Sequence, residues 1–464
     1  MRSEQRWSRR QFLGATSLMA AGTMLAACTP KATESPDAQP AQAEGQAPAP
    51  AGTSITIQYW VFWNQLAACE EAWRATDEWK EIESNNITLE FKTGAGGDAG
   101  RTAVAAGTPC DVGDLGPQRD FMIGGKLLPL EDFISASSKV SEDMFFEGNW
   151  ADGVYEGTVY GVPAHECFVR RGLNYNARMV EEAGLDPDDP PTTWSELFTW
   201  HEKLTKFDSA GNLVQFGIDP YDAEGGTGPG GDGFALGDAW DFTWFDSETG
   251  TFNVNHERMI EALEVMSEFY RHMGPDNLQG LRSVEGQGTW GGAYNAEVQA
   301  MILEGYWHPG ETLHEKPEVS QYNRATWWPM PDFRKGDKIQ FYGGHVTSLF
   351  KDGPQALNAF PVIEFLQSKA ACDIIFDTIG WLSGLKDYVK GIDGSKFPGL
   401  DFYIRSAEEA THKYQSAHCP IQSFASQKFV EYREQVYRDA MTAKEAAERW
   451  QKDLEDEWIE AGFA

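Results

Sequence analysis

Regular alternation of apolar and polar residues begins at residue 54 and predicts the start of a folded domain. Residues 54–60 alternate and are rich in β-branched side chains, a pattern that predicts a strand. Residues 66–76 carry apolar side chains at helical spacing, which predicts a helix with one face on a sheet. A second strand is predicted at 87–91, and residues 107–112 lead into a short third one. This order favours a mainly parallel sheet with helices on its faces.

The ends of the predicted strands are candidate ligand contacts. In parallel sheets, ligands bind beyond the carboxyl ends of the strands. In this sequence those ends correspond to residues 60–64 and 114–118. The first of these segments carries Trp60, Trp63 and Asn64.

Later segments add helices and one unusual loop. Thr193 and Glu196 form a capping box that predicts the start of a helix, and Thr442 and Glu445 do the same for the last helix. Residues 222–238 are mostly glycine and aspartate, which predicts a loop. Its carboxylates could hold calcium, but their spacing fits no EF-hand, so a plain loop is the preferred interpretation.

The N-terminus has the composition of a secretion signal. Four arginines precede an apolar run at residues 12–27. This run falls short of the ~20 apolar residues that a membrane-spanning helix needs. Residues 8–13, Ser-Arg-Arg-Gln-Phe-Leu, resemble a twin-arginine signal, which implies export after folding. Gly14 stands where that signal usually has lysine, so general secretion stays open.

The signal ends in a motif for lipid attachment. Residues 25–28, Leu-Ala-Ala-Cys, resemble a bacterial lipobox, which predicts a signal peptide at 1–27 and lipidation of Cys28. The alternative is a soluble secreted protein in which this cysteine is incidental. Residues 28–53 are rich in proline and alanine, so we expect a disordered tether. As a coil the tether would span roughly 30 Å.

Composition limits the partners of the exported part. The whole chain has a net charge of −33, and the part after the signal peptide is still more acidic. This charge repels nucleic acids and anionic headgroups and disfavours anionic ligands at long range. The residues after the tether suffice for two globular domains. Five cysteines remain besides Cys28, and an odd number requires at least one free thiol. No CxxC spacing occurs, so the sequence predicts no metal site and no cofactor.

Several stretches, in order along the chain, resemble the extracellular solute-binding proteins of the maltose-binding type, the capture subunits of ABC importers. The central block at 160–205 is the most specific, because a Tyr-Asn pair, EAGLD, a proline pair and TWSEL follow one another there. The other matching stretches are YWVFWNQL at 59–66, GTPCDVGDLGP at 107–117, GGKLLPLEDFI at 124–134, AEVQAMILEGYW at 296–307, FYGGHVTSLFKDGPQALNAFPVIEFLQS at 341–368 and TAKEAAERWQKDLEDEW at 442–458.

This resemblance implies an α/β fold of two lobes that closes over a ligand. Each lobe would be a mainly parallel sheet flanked by helices, and a multi-strand hinge would join them. The implied first lobe comprises 54–165 and 340–378, and the second 166–339 and 379–464. The implied crossings lie near 163–164, 337–338 and 382–383. We expect a monomer.

The same resemblance implies a sugar site, which needs aromatic platforms and planar polar groups. Tyr221 in a Pro-Tyr pair and Trp307 in Gly-Tyr-Trp correspond to residues that stack on sugar in maltose-binding proteins, although Tyr306 replaces the family's proline. The candidate ligand contacts are Trp60, Trp63, Asn64, Gln118, Arg119, His165, Glu166, Tyr221, Trp307, His345 and Trp381.

Every candidate also has a structural interpretation. Loop aromatics frequently pack in protein cores, and a histidine is often an ordinary hydrogen-bonded residue. Trp327 and Trp328 are expected to pack at the hinge. Core or surface packing is preferred for the tryptophans on amphipathic helices, which are Trp73, Trp79, Trp194, Trp200, Trp450 and Trp458.

The preferred function is that of a substrate-binding lipoprotein of an ABC importer. It would capture a sugar or oligosaccharide and deliver it to membrane permease subunits, anchored by lipid at the outer face of the cell membrane. The same fold could bind a polyol, amino compound or peptide instead. A secreted glycosidase using Asp111, Asp114 or Glu166 is a third hypothesis, but no catalytic motif supports it, so we expect no enzyme activity.

Overall fold

The computed structural model describes residues 54–116, 118–222, 234–284, 292–415 and 417–463. All of them belong to one compact unit, Pro48–Ala464. Outside the described residues lie the predicted signal peptide, Cys28, the tether and most of the 222–238 loop. The hypotheses of lipidation and of calcium binding concern these segments.

Two sheets organise the described residues. Their strands are β1 (Ile55–Val61), β2 (Ile87–Lys92), β3 (Val112–Asp114), β4 (Gly161–Val169), β5 (Gly172–Asn176), β6 (Met301–Glu304), β7 (Asn323–Thr326), β8 (Ile339–Leu349) and β9 (His412–Tyr414). Short antiparallel hairpins add the pairs Val154–Tyr155 with Thr158–Val159, Lys206–Phe207 with Leu213–Gln215, and Phe245–Asp246 with Thr251–Phe252.

The first sheet confirms the strands predicted near the start of the domain. Strand β1 pairs in parallel with both β2 and β3. Ile57, Tyr59 and Val61 are buried at alternate positions of β1, as its alternating pattern requires. The carboxyl ends of β1 and β3 therefore meet at one edge of the sheet, where the candidate contacts were expected.

Two long antiparallel strands, β4 and β8, extend the first sheet. One end of β8 pairs with β3, and the other end pairs with β9. Every residue of β4 is buried. Strand β4 contains residues 163–164, and β8 begins directly after residues 337–338, two of the positions at which the chain is expected to cross between lobes.

The second sheet differs from the prediction. Strand β5 lies between β6 and β7, and both pairings are antiparallel, so a mainly parallel sheet is wrong for this part of the chain. The cause is the direction of β5, which follows β4 after only Arg170 and Arg171 and runs away from the first sheet. The last residues of β6 and β7, Glu304 and Thr326, pair with the start of β5, so both strands run back toward the first sheet.

Helices cover both sheets. Up to residue 240 the described α-helices are Glu70–Ala75, Asp77–Ser84, Asp98–Ala105, Gln118–Ile123, Glu131–Ala136, Glu147–Ala151, Ala177–Glu182, Trp194–Leu204 and Ala235–Trp240. From there to residue 379 they are Glu257–Met273, Pro275–Val284, Gly292–Asn295, His308–Glu315, Pro317–Ser320, Phe360–Leu366 and Lys369–Ile379. The last four are Lys386–Lys390, Leu400–Glu409, Gln422–Tyr437 and Ala443–Glu460.

Both predicted capping boxes are confirmed. The Thr193 hydroxyl accepts a hydrogen bond from the backbone N–H of Glu196, whose carboxylate accepts one from the backbone N–H of Thr193. Thr442 and Glu445 repeat this arrangement at the start of the last helix. Each box satisfies N–H groups that a helix end would otherwise leave without acceptors.

Two large apolar clusters form the core. The cluster on the second sheet holds Trp194, Trp200, Trp328 and Trp450, and the cluster on the first sheet holds Trp73 and Trp79, as their predicted packing requires. The half-buried Trp458 packs against the second-sheet cluster, and the half-buried Trp327 packs against the first-sheet cluster. The first-sheet cluster also includes Trp381 and Tyr403, which follow residue 378, so the apolar packing continues past the predicted end of the first lobe.

The five cysteines of the described residues are all buried and free, namely Cys69, Cys110, Cys167, Cys372 and Cys419. Burial raises the pKa of the Cys69 thiol to about 11, which disfavours the reactive thiolate. In the part of the chain that the structure describes, none of the helices has the length and apolar character to cross a membrane.

Candidate ligand-binding site

A bulge in β8 determines the position of His345. The pairing of β8 with β4 changes register between Gly344 and Val346. Gly344 has a φ of +144°, and a Cβ on it would lie 2.5 Å from the carbonyl oxygen of Glu166. Only glycine allows this close approach of the two strands. The bulge directs His345 toward the end of β3.

Asp114, the last residue of β3, pairs with His345. Nδ1 of His345 lies 2.8 and 2.7 Å from the two carboxylate oxygens, and Nε2 of His165 lies 3.7 Å from one of them. Burial alone would raise the pKa of Asp114, but His345 and His165 lower it to about 2. Burial would lower the pKa of His345, but Asp114 raises it to about 9. At neutral pH the two residues therefore form an ion pair in which His345 donates.

A second ion pair lies beside the first. Nη1 of Arg170 donates to the two carboxylate oxygens of Glu166 at 2.9 and 3.2 Å, and both side chains are buried. Oε2 of Glu166 lies 3.8 Å from Nε2 of His345, a contact that joins the two pairs. The guanidinium carbon of Arg170 lies 4.3 Å from the centre of the Trp307 ring.

The charges of the two pairs balance. Two carboxylates face one guanidinium and one imidazolium, so a neutral ligand meets no net charge there. Planar carboxylate, guanidinium and imidazole groups offer hydrogen bonds to hydroxyl groups. Within the described residues, no group of three His, Cys, Asp or Glu side chains is arranged to hold a metal ion.

Aromatic rings border this charged cluster. Phe62 and Trp63 follow β1, and their rings lie 5.5 and 5.1 Å from the His345 ring. Trp381 lies 5.8 Å from Trp63. Phe62 and Trp63 are half-buried, whereas Trp381 is 2% exposed. Rings beside planar polar groups match the apolar C–H faces and the hydroxyls of a sugar.

Six of the predicted contacts come together in this cluster: Trp63, His165, Glu166, Trp307, His345 and Trp381. The sequence interpretation did not include Phe62 or Arg170, and it considered Asp114 only as a glycosidase carboxylate. Arg170 lies four residues after Glu166 at the end of a strand, where alternation places both on one face. That spacing could have identified Arg170, but Phe62 has no comparable signal.

The structure does not bring four other candidates into the cluster. A lysine ammonium from β2 covers Trp60, 4.2 Å from its ring centre, and Asn64 is exposed. Gln118 is buried and donates from Nε2 to two backbone carbonyl groups at 2.7 and 3.2 Å. Nη2 of Arg119 lies 3.9 Å from Asp152.

Tyr221 lies in the core of the second half instead. It is 3% exposed, its ring lies 5.7 Å from Tyr270 and 5.8 Å from Phe429, and the guanidinium carbon of Arg433 lies 4.5 Å from it. The Asp219 carboxylate accepts hydrogen bonds from the Tyr221 backbone N–H and the Tyr270 hydroxyl. These contacts direct the ring into the protein, and a Pro-Tyr pair alone could not reveal that direction.

Trp307 belongs to the cluster, but its ring is enclosed. The side chain is 4% exposed, and Arg170 covers it at 4.3 Å. Gly305 lies so close that a Cβ on it would come within 2.0 Å of the ring. The ring therefore supports Arg170, and its stacking on a ligand stays a prediction.

Comparison with known proteins identifies the family of the chain. The model of a family described as bacterial extracellular solute-binding protein matches residues 67–371. The chain belongs to this family. The match runs from the region after β1 through β8, and it includes the paired side chains of the cluster. No curated protein sequence matches the chain.

Solved structures show the same fold. CpMnBP1 with mannotriose bound has a TM-score of 0.74 at 18% identity, over 86% of this chain and 100% of that one. An ABC transporter solute-binding protein from Thermotoga lettingae bound with α-D-tagatose has a TM-score of 0.70 at 19% identity, over 86% and 99%. The sugar-binding protein MalE from Xanthomonas citri has a TM-score of 0.65 at 18% identity, over 88% of this chain and 100% of that one. The chain therefore has the two-lobed α/β fold of these binding proteins.

Proposed function

We propose that this solute-binding protein captures a neutral carbohydrate between its two lobes and delivers it to the permease of an ABC importer. The observation that carries the proposal is the cluster in which Phe62 and Trp63 border two balanced ion pairs. Aromatic faces bind sugar C–H groups, and the planar charged groups bind hydroxyls. The mannotriose and tagatose named for the solved relatives support a sugar ligand.

Other ligands fit the cluster less well. A cationic amine would favour a carboxylate without a charged partner, but Asp114 and Glu166 each have one. For a glycosidase, one carboxyl group must protonate the leaving oxygen. His345 holds Asp114 ionised. Burial raises the pKa of Asp111, but both of its carboxylate oxygens are tied to backbone N–H groups, those of Gln58 at 2.8 Å and Gln355 at 2.5 Å. These contacts favour binding over catalysis.

Capture would proceed by closure of the hinge. In this proposal the first lobe comprises 54–165 and 340–378, the second comprises 166–339 and 379–464, and β4 and β8 connect them. A ligand that contacts both lobes shifts the open–closed equilibrium by its preference for the closed state. The hinge is therefore the element through which ligand binding would reach the permease.

Export and anchoring complete the proposal. The signal peptide at 1–27, with its twin-arginine-like segment, would direct the chain out of the cell. Lipidation of Cys28 would then hold a monomer at the outer membrane face through the 28–53 tether. Cys28→Ala should release the protein into the extracytoplasmic fraction, whereas wild type stays with membranes. An equal distribution of both would contradict the anchor.

The ligand class is tested with the compact unit Pro48–Ala464. Its thermal unfolding is measured with mannobiose, mannotriose, maltotriose, tagatose, a polyol and an amino compound, and calorimetry gives the Kd of each hit. A ligand whose free concentration is about a hundred times its Kd stabilises the folded state by about 2.7 kcal/mol. Stabilisation by at least one sugar is expected, and stabilisation by non-sugars alone would refute the carbohydrate proposal.

A further inference from the structure

The helix His308–Glu315 begins directly after Trp307, a residue of the candidate site. This helix packs closely on the end of the helix that precedes Trp381, because a Cβ on Gly310 would lie only 2.2 Å from the carbonyl oxygen of Ile379. Glu311 follows Gly310, and its carboxyl group lies close enough to Trp381 for the indole N–H to act on it. Its carboxyl group also lies within electrostatic range of Glu166 in the charged cluster.

Two buried polar atoms meet at this place. Glu311 is 8% exposed and Trp381 is 2% exposed. Among the described residues, neither Oε2 of Glu311 nor Nε1 of Trp381 makes a hydrogen bond of ordinary geometry, although the indole N–H is close enough to act on the carboxyl group. Buried polar atoms in proteins nearly always have partners, so two such atoms on neighbouring side chains require an explanation. A polar ligand in the cleft would supply it.

The surroundings of Glu311 favour its uncharged form. Burial raises the pKa of its carboxyl group well above the ordinary value, and the negative charges of Glu315 and Glu166 act in the same direction. The indole N–H of Trp381 opposes them. A neutral carboxyl group has one O–H donor and a carbonyl acceptor, whereas a carboxylate only accepts.

We propose that Glu311 binds the ligand directly as a neutral carboxyl group, donating one hydrogen bond and accepting another, with the indole N–H of Trp381 beside it. This inference rests on the proposed carbohydrate-binding function and deepens it. A donor next to an acceptor matches a sugar hydroxyl, which itself both donates and accepts. Glu311 thereby becomes a specificity-determining residue for hydroxyl-bearing, uncharged ligands.

Three variants of the compact unit test the proposal. Glu311→Gln keeps an uncharged group that donates and accepts, and Glu311→Leu keeps the volume without polar atoms. Glu318→Gln is the matched control, because Glu318 is exposed and its replacement removes the same charge from the neighbouring helix Pro317–Ser320. Calorimetry gives the Kd of each variant for the panel sugar that binds wild type most tightly.

Affinity distinguishes the roles. We expect Glu311→Gln to bind within about threefold of wild type and Glu311→Leu to bind about 10- to 100-fold more weakly. Glu318→Gln should bind as wild type does. Equal losses in both Glu311 variants would show that the carboxylate charge is required, and that result overturns the neutral form. Unchanged affinity in Glu311→Leu overturns the contact itself.

Stability without ligand gives an independent readout. A buried polar group whose hydrogen-bond partner is the ligand destabilises the protein when no ligand is bound. Glu311→Leu should therefore raise the unfolding temperature or leave it unchanged. A lowered unfolding temperature would mean that the carboxyl group stabilises the fold, and it overturns the proposal. If no panel sugar binds wild type, the carbohydrate function fails, but this comparison still decides whether Glu311 is held for a ligand.

Discussion

The ion pair of His345 and Asp114 should make stability depend on pH in a defined window. Histidine has an ordinary pKa of 6.5, and that of His345 is about 9. The folded protein therefore holds this proton more tightly than the unfolded chain does. The resulting stabilisation is complete below pH 6.5 and is lost as the pH rises through 9. It is equivalent to about 3 kcal/mol, of which about 2.5 kcal/mol is present at about pH 7.

His345→Gln removes the charge and keeps a polar side chain. The variant should be less stable than wild type by about 2.5 kcal/mol near neutral pH, because Asp114 then remains buried with only His165 beside it. It should also lose the decline of stability between pH 6.5 and 9. The low pKa of Asp114 reflects the same ion pair, so its free energy is not added to that of His345. The contribution of Asp114 is present above pH 3.8 and is lost as the pH falls through about 2.

The assay is urea unfolding followed by tryptophan fluorescence, at pH values from below 6.5 to above 9. His314→Gln is the control, because His314 is exposed and its replacement should leave the wild-type profile unchanged. The reasoning is refuted if wild type is equally stable across this window. It is also refuted if His345→Gln shows the same decline as wild type.

Three further predictions concern aromatic rings and the buried carboxyl group of Asp238. Trp63→Ala should weaken sugar binding at least about 10-fold by calorimetry, and Trp60→Ala less than about threefold, so equal losses would contradict the placement of the site. Trp307→Ala should lower the ligand-free unfolding free energy by about 3–5 kcal/mol in urea, whereas an open stacking ring would affect only affinity. Burial, opposed by Arg171, raises the pKa of Asp238 to about 6, so stability should fall as the pH rises from 3.8 to 6. Asp238→Asn should abolish this fall, and a persisting fall would assign it to another group.

The sequence was sufficient to predict structural elements that depend only on residues close together in the chain. The alternation in β1 and the two capping boxes each involve side chains within one strand or one helical turn, and all of them are confirmed. The direction of the second sheet is different, because β5 pairs with β6 and β7 from distant parts of the chain. Which way those strands run depends on where the intervening helices bring the chain back, and local periodicity does not contain that information.

The candidate site was predicted only as a set of separate residues. Asp114 and His345 are 231 positions apart, so no spacing rule could pair them. The position of His345 depends on the bulge at Gly344, whose close contact with β4 exists only after the strands have paired. Tyr221 shows the converse, since its local motif predicted a ligand contact and distant helices instead enclose its ring.

The pairing of charges in the cluster has a consequence for how a ligand can be selected. Separating Asp114 from His345, or Glu166 from Arg170, would leave a buried charge without a partner, which costs about 3–5 kcal/mol. A hydrogen bond to a sugar hydroxyl returns less, even when the group is charged. A ligand hydroxyl must therefore bind to the carboxylate lone pairs and the N–H groups that are not already used within the ion pairs. Because many sugars can make such contacts, discrimination among them should come from the aromatic faces and from Glu311.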